Sequence, residues 1–410
     1  MQRRKLRVGV VFGSRSVEHE VSIITAQQAM DAMDPRRYEV VPIFITKDGR
    51  WYSGPELRRV QAFEDPAALV ARCRPVFLRP EPNGQRLFAR ERGALGAERL
   101  RSLELDCVFP VVHGTYGEDG TLQGLFELAD LPYVGCGVVG AAVGMDKIIM
   151  KAAFRAQGLP VVAYRWLTRG RWEVEREAVL DEVEAELRYP LFVKPANLGS
   201  SVGISTARDR DGLAQALDVA AAFDRRLLVE EGVVDAREIN CSVLGDDREA
   251  KASVCEEPIR ASELLSYEDK YIQGGKSDGG MASAKRRIPA DMSAERTAEI
   301  QRMAVEAFRA VDAAGVARID FLLDEAGDSV FVNEINTLPG SLSFYLWEPS
   351  GLEFPALLDR LIELALTRHR ERQRTTFTYD SKLIEQFGRG AAAGKTGSKL
   401  GATGRSGRPG

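Results

Sequence analysis

Two carboxylates and one amide late in the sequence could bind a divalent cation. The segment "ARIDFLLDEAGDSVFVNEIN" alternates apolar and polar residues on both sides of a glycine-containing turn, which predicts a β-hairpin. In this hairpin Arg318 and Asp320 share one face of the first strand, and the turn brings Asp320 opposite Glu334. Asn336 follows on the same face as Glu334. Oxygen ligands of this kind suit Mg²⁺, whose coordination is usually completed by substrate phosphates. The alternative is an acidic hairpin face that contacts only water.

A strand that leads into glycine and serine residues could bind the phosphates of a nucleotide. Lys194 lies in "FVKPANLGSSVG", where backbone N–H groups and hydroxyls of small residues can approach a phosphate closely. The segment is not a P-loop, because GxxxxGK[ST] is absent, and a Gly-Ser stretch alone is usually only a turn. Lys147 in "MDK", at a predicted helix start, could supply a second cation, although a lone lysine is more often simply exposed.

Three acids near another strand could bind the base and the ribose of the same nucleotide. The apolar strand in "RLLVEEGV" ends with Glu230 and Glu231, and Glu238 follows in "AREINCSVLG". Carboxylates can accept hydrogen bonds from an adenine amine and from ribose hydroxyls. The alternative is a group of solvated charges at a strand end.

Alternating strands and helices must position these residues. The segments "LRVGVVFG", "YEVVPIFI", "CVFPVVHG" and "LPYVG" are predicted strands, with helical spacing between them, which predicts a parallel sheet covered on both faces over residues 1–143. A helix over "DKIIMKAAFRAQ", ending at Gly158, begins a smaller unit of residues 144–245. The hairpin belongs to a third unit, residues 246–370.

The composition indicates a soluble globular protein. The 410 residues are 44% hydrophobic and 28% charged, which suits two or three domains without a membrane span. A net charge of −4 gives no electrostatic footprint for nucleic acid. Five cysteines without a CxxC pair favour a reducing cytoplasm over disulfides or a zinc site. Residues 371–410 are predicted to be a disordered tail, because the sequence from Gly388 is basic, rich in glycine and poor in core-forming residues.

Seven segments occur in an order that resembles the D-alanine–D-alanine ligases, peptide-bond-forming members of the ATP-grasp superfamily. They are "SVEHEVS", "HGTYGEDGTLQG", "MDK", "FVKPANLGSSVG", "YEDKY", "RIDF" and "NEINTLPG". The resemblance implies an α/β ATP-grasp fold with an N-terminal Rossmann-like domain, in a cytoplasmic homodimer. It also implies that ATP, with two Mg²⁺ ions or Mn²⁺ in their place, converts one D-alanine to an acyl phosphate. A second D-alanine then attacks to give D-alanyl-D-alanine for peptidoglycan.

The resemblance assigns particular residues to the metal ions and to ATP. Asp320, Glu334 and Asn336 would hold the two ions, with Glu334 bridging them. The residues assigned to ATP are Lys147, Lys194, Ser201 and Lys270 at the phosphates, Glu230 and Glu231 near the adenine, and Glu238 at the ribose. Lys270 lies in a glycine-rich loop, residues 267–289, that would close over the site and exclude water.

The resemblance also assigns a site for the first amino acid. Glu20 would receive the ammonium group of the first D-alanine, hydrogen-bonded with Ser200 and Tyr271. His113 would lie near the same substrate.

The pocket for the second amino acid departs from the commoner family pattern. Arg318 and the backbone N–H of Gly340 would stabilise the oxyanion formed when the second amine attacks. Many members then place a serine and a leucine at the second carboxylate, and this chain has Tyr345 and Leu346 there. A phenol can donate to a carboxylate, but its bulk changes the pocket.

Two other hypotheses are compatible with the sequence. One is an ATP-grasp ligase for another acceptor, such as D-serine, D-lactate or a different amino acid. The related D-alanine–D-lactate ligases commonly carry a histidine in the closing loop, and the predicted loop here contains none, so the resemblance favours an amine acceptor over a hydroxy acid. The other is a catalytically inactive nucleotide-binding protein, against which the intact set of acids, lysines and arginine argues.

Overall fold

The computed structural model describes residues 4–82, 86–92, 98–199, 202–259 and 286–384. The chain divides into two compact units, Met1–His369 and Arg370–Gly410. The described part of the first unit contains three β-sheets of seven, four and five strands. Among the described residues, no helix is long and apolar enough to cross a membrane.

The seven-stranded sheet combines parallel and antiparallel pairing. Its strands are β1 (Leu6–Gly13), β2 (Tyr38–Ile45), β3 (Trp51–Ser53), β4 (Arg74–Leu78), β5 (Arg86–Arg92), β6 (Glu98–Glu104) and β7 (Cys107–Pro110). They lie in the order β6–β5–β4–β3–β2–β1–β7. Strand β1 pairs in parallel with β2 and β7, which confirms the predicted parallel core of the sheet. The strands from β3 to β6 extend it by antiparallel pairs, and they lack the long apolar runs that predict strands.

The segment "LPYVG" is not the predicted strand. Among the described residues it makes a single β-bridge, between Tyr133 and Val108 of β7. Pro132 has no N–H to donate to a ladder, and Gly135 takes a left-handed φ of 95°, so the chain turns away after one bridge.

Helices cover both faces of this sheet, as predicted. They are α1 (His19–Ala32), α2 (Pro66–Arg72) and α3 (Thr121–Leu128), with 3₁₀ turns at Pro55–Arg58 and Val60–Glu64. Met30 of α1 belongs to one hydrophobic cluster with Val10 of β1, whereas Phe126 of α3 clusters with the neighbouring Val11. Successive strand residues point to opposite faces, so each face of β1 has its own core.

The four-stranded sheet has a hydrophobic core on one face and carries Lys194 and Glu230 on the other. Its strands are β8 (Tyr164–Thr168), β9 (Leu191–Pro195), β10 (Ser205–Ala207) and β11 (Arg226–Glu231), all antiparallel, in the order β10–β9–β11–β8. The helices of this region are α4 (Val138–Met145), α5 (Lys147–Ala156), α6 (Arg169–Val174), α7 (Arg176–Glu186) and α8 (Arg210–Ala221). Val193 and Val229 share a core with Leu180 of α7 and Leu217 of α8. Alternation therefore turns Lys194 and Glu230 to the other face.

The five-stranded sheet contains the predicted hairpin. Its strands are β12 (Arg237–Gly245), β13 (Ala250–Pro258), β14 (Arg286–Arg287), β15 (Gly315–Asp324) and β16 (Ser329–Asn336), in the order β14–β13–β12–β15–β16. The remaining helices are α9 (Ala294–Ala310), α10 (Phe344–Trp347) and α11 (Phe354–Arg372), with a 3₁₀ turn at Gly340–Ser343. Ile319 and Phe321 of β15 pack in a core with Phe308 of α9, which leaves the opposite face of the sheet for polar residues. The domain boundaries at residues 143, 245 and 370 stay a prediction.

The described part of the second unit ends at residue 384. After α11 the chain is irregular, and residues 375–384 are all exposed. The rest of the predicted disordered tail lies outside the described residues.

We expect a chain truncated after Arg374 to keep the activity and the Tm of the full-length protein. The exposed residues 375–384 bury no apolar surface whose loss would destabilise the fold. Parallel assays and thermal unfolding of both chains test this. A clear loss of Tm or of turnover on truncation would contradict it.

Candidate active site

A row of polar side chains crosses the five-stranded sheet on its polar face. Glu256 of β13 pairs with Asn240 of β12, Asn240 pairs with Asp320 of β15, and Asp320 pairs with Glu334 of β16. Directly paired residues on neighbouring strands point to the same face, so these four side chains form one row. The structure confirms the predicted pairing of Asp320 with Glu334.

Asp320, in the middle of this row, is buried and is hydrogen-bonded to the partly buried Arg318, two residues earlier on β15. Arg318 binds Asp320 through two hydrogen bonds of 2.7 Å, from Nε to Oδ1 and from Nη2 to Oδ2. The Asn336 amide also donates to Asp320 Oδ2 at 3.1 Å. Burial raises the pKa of Asp320 to about 6, even though Arg318 acts in the opposite direction.

The three predicted metal ligands therefore lie together. Asp320, Glu334 and Asn336 offer only oxygen donors, the chemistry that Mg²⁺ and Mn²⁺ require. Among the described residues no group of three His, Cys, Asp or Glu side chains could hold a metal ion, so the set depends on the amide of Asn336. These three side chains leave part of the coordination shell of the ion open. The phosphates of a bound nucleotide could complete it. The residues present fit the ion, and their binding of it stays a prediction.

Helix α5 brings Lys147 and, one turn later, Lys151 toward this row. Asp146 caps the helix by accepting hydrogen bonds from the N–H groups of Ile148 and Ile149, and it is ion-paired with Arg226 of β11. This cap places Lys147 at the first helical position, with its Nζ 2.8 Å from the Leu198 carbonyl oxygen. The same Nζ lies 3.9 Å from Glu334 Oε2, so the predicted phosphate cation and the predicted metal ligand are neighbours.

A buried charge triad lies beside Lys147. Glu230, 2% exposed, is ion-paired with Lys194 and lies 2.7 Å from Lys151 Nζ. Burial acts to raise the pKa of Glu230, but Lys151 and Lys194 outweigh it and lower the pKa to about 2. Burial also acts to lower the pKa of Lys194, but Glu230 outweighs it, whereas burial prevails and lowers the pKa of Lys151. Two cations and one anion leave an excess positive charge that suits a phosphate.

Two other residues predicted to bind the nucleotide, Glu238 and Glu231, differ in whether they face the cluster. Glu238 lies two residues before Asn240 on β12 and so shares the polar face of the sheet. Glu231 does not join the cluster, because strand alternation turns it to the other face of β11, where Oε1 accepts the Arg188 N–H at 2.8 Å.

A second group of polar residues lies at the carboxyl ends of β1 and β7. These strands are parallel neighbours at the point where the strand order reverses, the place where open α/β sheets bind ligands. His113 is buried there between the Leu338 carbonyl oxygen at Nδ1 and Thr25 Oγ1 at Nε2, each at 3.0 Å. Burial acts to lower its pKa, but Glu118, 3.7 Å away, outweighs it and raises the pKa of His113.

The structure brings Glu18, rather than the predicted Glu20, into this group. The Glu20 side chain is 58% exposed and is ion-paired with Lys47. Glu18 is buried, and its Oε2 would lie 2.8 Å from a Cβ added at Gly199 and 2.7 Å from one added at Gly114. Glu20 lies in the first turn of α1 and points outward, whereas Glu18 lies before the helix and points inward.

The turn after the hairpin positions the predicted acceptor residues. Gly340 begins a 3₁₀ turn in which residues 341–343 have φ values of 51°, 53° and 50°, so three successive non-glycine residues are left-handed. Leu346 is fully buried. The Tyr345 hydroxyl donates to Glu256 Oε1 at 3.1 Å, so the predicted donor to a substrate already has a protein acceptor.

Four predicted site residues lie outside the described residues: Ser200, Ser201, Lys270 and Tyr271. The predicted loop is described only from residue 286 onward, where it forms β14.

Sequence reasoning missed four residues that the structure adds to these clusters: Glu18, Lys151, Asn240 and Glu256. Lys151 follows Lys147 by four residues, and this helical spacing could have shown that both lie on one face. No comparable signal joins Glu256 to Tyr345, because they are 89 residues apart.

Comparison with known proteins gives a consistent result. Residues 7–136 match the model of the D-ala D-ala ligase N-terminus, and residues 153–363 match that of the D-ala D-ala ligase C-terminus. The D-alanine–D-alanine ligase of Heliobacterium modesticaldum is 45% identical over 375 residues, which cover 90% of this chain and 97% of that protein. The corresponding ligase of Geobacillus thermodenitrificans is 42% identical over 388 residues, or 92% of this chain and 100% of that protein.

Solved structures show the same relationship. The D-alanine–D-alanine ligase of Coxiella burnetii superposes with a TM-score of 0.74 at 36% identity, covering 95% of this chain and 99% of that one. The VanG D-Ala:D-Ser ligase of Enterococcus faecalis has a TM-score of 0.74 at 32% identity, covering 88% and 100%.

The fold is therefore the ATP-grasp fold, with a mixed α/β N-terminal sheet that has a parallel core. Within that class, the chain belongs to the D-alanine–D-alanine ligase family.

Proposed function

We propose that the protein joins two D-alanines into D-alanyl-D-alanine at the expense of ATP, for peptidoglycan precursor synthesis. The observation that carries this proposal is the contact of three groups in one place. Lys147, beside the Lys194–Glu230–Lys151 triad, lies 3.9 Å from Glu334, and Glu334 pairs with Asp320, which is bound to Arg318. Three kinds of group are thus adjacent: lysines that could bind phosphates, carboxylates that could bind a metal ion, and an arginine that could stabilise an oxyanion.

The first step is phosphoryl transfer to the carboxylate of the first amino acid. A carboxylate is a poor electrophile, and phosphoryl transfer depends mainly on positioning and charge neutralisation. Lys147 and Lys194 would orient the phosphates of ATP. Bound Mg²⁺ at Asp320, Glu334 and Asn336 would neutralise the charge of the transferring group.

The second step is attack by the amine of the second amino acid. The developing oxyanion needs donors that are already in place, and Arg318 is held rigidly by its two hydrogen bonds to Asp320. The N–H of Gly340, at the start of the strained turn, is the second proposed donor. Phosphate leaves as the peptide bond forms.

Glu18 is proposed to receive the ammonium group of the first D-alanine, in place of Glu20. It is a buried carboxylate next to Gly114 and Gly199, at the carboxyl ends of β1 and β7. His113 and Glu118 lie in the same group, and the charge of Glu18 acts to raise the pKa of both.

The same proposal includes three further points. The enzyme would use ATP with two Mg²⁺ ions, it would form a homodimer, and it would be located in the cytoplasm.

The test is a product assay on the purified protein. Incubation with ATP, Mg²⁺ and D-alanine should give ADP, phosphate and D-alanyl-D-alanine in equal amounts, and D-serine and D-lactate as acceptors should react more slowly. Phosphate release without dipeptide, or faster reaction with another acceptor, would overturn the assignment.

We expect Glu18→Gln to lower kcat/KM for the first D-alanine by roughly 10- to 100-fold, the value of one charge-assisted hydrogen bond. Glu20→Gln is the matched control, because Glu20 is exposed and paired with Lys47, and it should stay near wild type. Steady-state kinetics of both variants decide the matter. The reverse order of effects would restore Glu20 to the site.

A further inference from the structure

A charged cluster ends the polar row on the side away from Lys147. Glu256 is 2% exposed and accepts three hydrogen bonds: from Tyr345 Oη at 3.1 Å, Asn240 Nδ2 at 3.1 Å and Arg286 Nη1 at 2.9 Å. A carboxylate with this many donors is fixed in position. It can therefore hold a guanidinium in a defined orientation.

Strand pairing turns Arg286 toward the site and its neighbour away. Arg286 of β14 pairs with Pro258 of β13, which shares a face with Glu256, whereas Arg287 pairs with Glu257 on the opposite face. The Arg286 guanidinium carbon lies 4.1 Å from the centroid of the Tyr345 ring, and the side chain is 13% exposed. Stacking on the ring fixes the plane of the guanidinium.

The cluster adjoins the proposed oxyanion site. Burial acts to lower the pKa of Arg318, but Asp320 above all, and then Tyr345 and Glu256, raise it. Burial raises the pKa of the Tyr345 hydroxyl, and the charges of Arg286 and Arg318 both act to lower it. The second amino acid must place its amine at the carbon beside Arg318, so its carboxylate must lie a few bonds away.

A second observation points to a bound ligand. Asn240 is 4% exposed, and its Oδ1 has no hydrogen-bond partner among the described residues. Its Nδ2 donates to Glu256, which fixes the amide orientation and directs Oδ1 away from that carboxylate. A buried acceptor without a donor is costly unless a ligand or water supplies one. The amine of an incoming amino acid carries the N–H groups that would do so.

We propose that Arg286 binds the α-carboxylate of the second amino acid, and that Glu256 and Tyr345 position its guanidinium. This inference rests on the proposed ligase function. Tyr345 acts as a positioning residue, because its single O–H already donates to Glu256 and so is not the group that holds the substrate. The tyrosine that replaces the usual serine thus comes with an arginine that takes over carboxylate recognition.

The test compares Arg286→Met with the matched control Arg287→Met, using D-alanine and D-alaninamide as alternative acceptors. D-alaninamide keeps the amine and the methyl group but has no carboxylate charge. In Arg286→Met the KM for the second D-alanine should rise at least tenfold, the KM for ATP should hold, and the preference for D-alanine over D-alaninamide should fall by a similar factor. Arg287→Met should retain wild-type values, since Arg287 is half exposed and pairs with Glu257 and Asp291.

Arg286→Lys keeps the test decisive if the methionine variant does not fold. Lysine preserves a charge for Glu256 but loses the stacked plane, so the KM for the second D-alanine should still rise several-fold. A wild-type second-site KM and an unchanged preference for D-alanine in a folded Arg286 variant would overturn the inference while leaving the ligase function intact. Absence of dipeptide from the wild-type protein would instead reject the proposed function.

Discussion

Replacing Glu334 with glutamine should lower the kcat of ligation by roughly 10³-fold or more and leave the fold intact. Glu334 pairs with Asp320 and lies 3.9 Å from Lys147, so it stands between the proposed metal ligands and the proposed phosphate cations. Glutamine keeps the shape and one oxygen atom that could bind a metal ion, but it removes the negative charge that the proposed metal ligand would supply. The Glu334 side chain is 30% exposed, so an amide there leaves no deeply buried unpaired group.

The matched control is Glu325→Gln in the turn of the same hairpin. Glu325 is 63% exposed and pairs with Arg237, outside the polar row. Turnover at saturating ATP over a range of Mg²⁺ concentrations, with Tm as the check on folding, measures both variants. Turnover near wild type in Glu334→Gln at ordinary Mg²⁺ would reject the metal assignment, and a similar loss in Glu325→Gln would point to the hairpin fold instead.

The hairpin shows what the sequence can predict. Period-two alternation along β15 and at the end of β16 fixes which side chains share a face, and a one-residue slip would have exchanged the core and polar faces. The pairing of Asp320 with Glu334 follows from that pattern alone and is confirmed. The bulge one step further, where the pairing passes from Glu334 to Val332, moves the core positions of β16 from Val330 and Val332 to Ile335, so strict alternation does not extend across it.

The choice between Glu18 and Glu20 shows where pattern reasoning ends. Both acids belong to one short motif, and they lie where the chain passes from a loop into α1. Neither the strand period nor the helix period extends across that junction. The inward direction of Glu18 depends on contacts with Gly114 and Gly199, which are distant in sequence.

Tyr345 shows a related limit of resemblance. Motif order predicts that Tyr345 lies in the acceptor pocket, and the structure brings it near Arg318 and Arg286. Its hydrogen-bond partner, however, is set by the packing of α10 against β13, and Glu256 carries no motif of its own. Tertiary packing determines which residue Tyr345 binds, and motif order carries no information on that packing. The role proposed for Tyr345 therefore depends on the structure.

Replacing Glu230 with glutamine should lower the free energy of unfolding by about 3–5 kcal/mol at pH 7, the range for breaking a buried ion pair. The change removes the only carboxylate of the triad and leaves Lys151 and Lys194 buried with like charges. The matched control is Glu182→Gln, a carboxylate that also lies between two cations, Arg165 and Arg171, but at the surface. Its stability should stay close to wild type, because solvent screens exposed pairs. Urea unfolding of both variants provides the comparison.

The pH dependence of this loss separates the charge of Glu230 from its shape. In the folded protein Lys151 and Lys194 outweigh burial and hold the pKa of Glu230 at about 2, below its ordinary value of 4.5. A carboxyl group whose folded pKa is lowered stabilises the protein above its unfolded pKa, and that contribution is lost as the pH falls from about 4.5 toward about 2. Glutamine does not titrate, so the stability gap between wild type and Glu230→Gln should hold above about pH 5 and narrow as the pH falls from about 4.5 toward about 3. A gap that stays constant over this range would mean that packing, rather than the ion pairs with the two lysines, accounts for the loss.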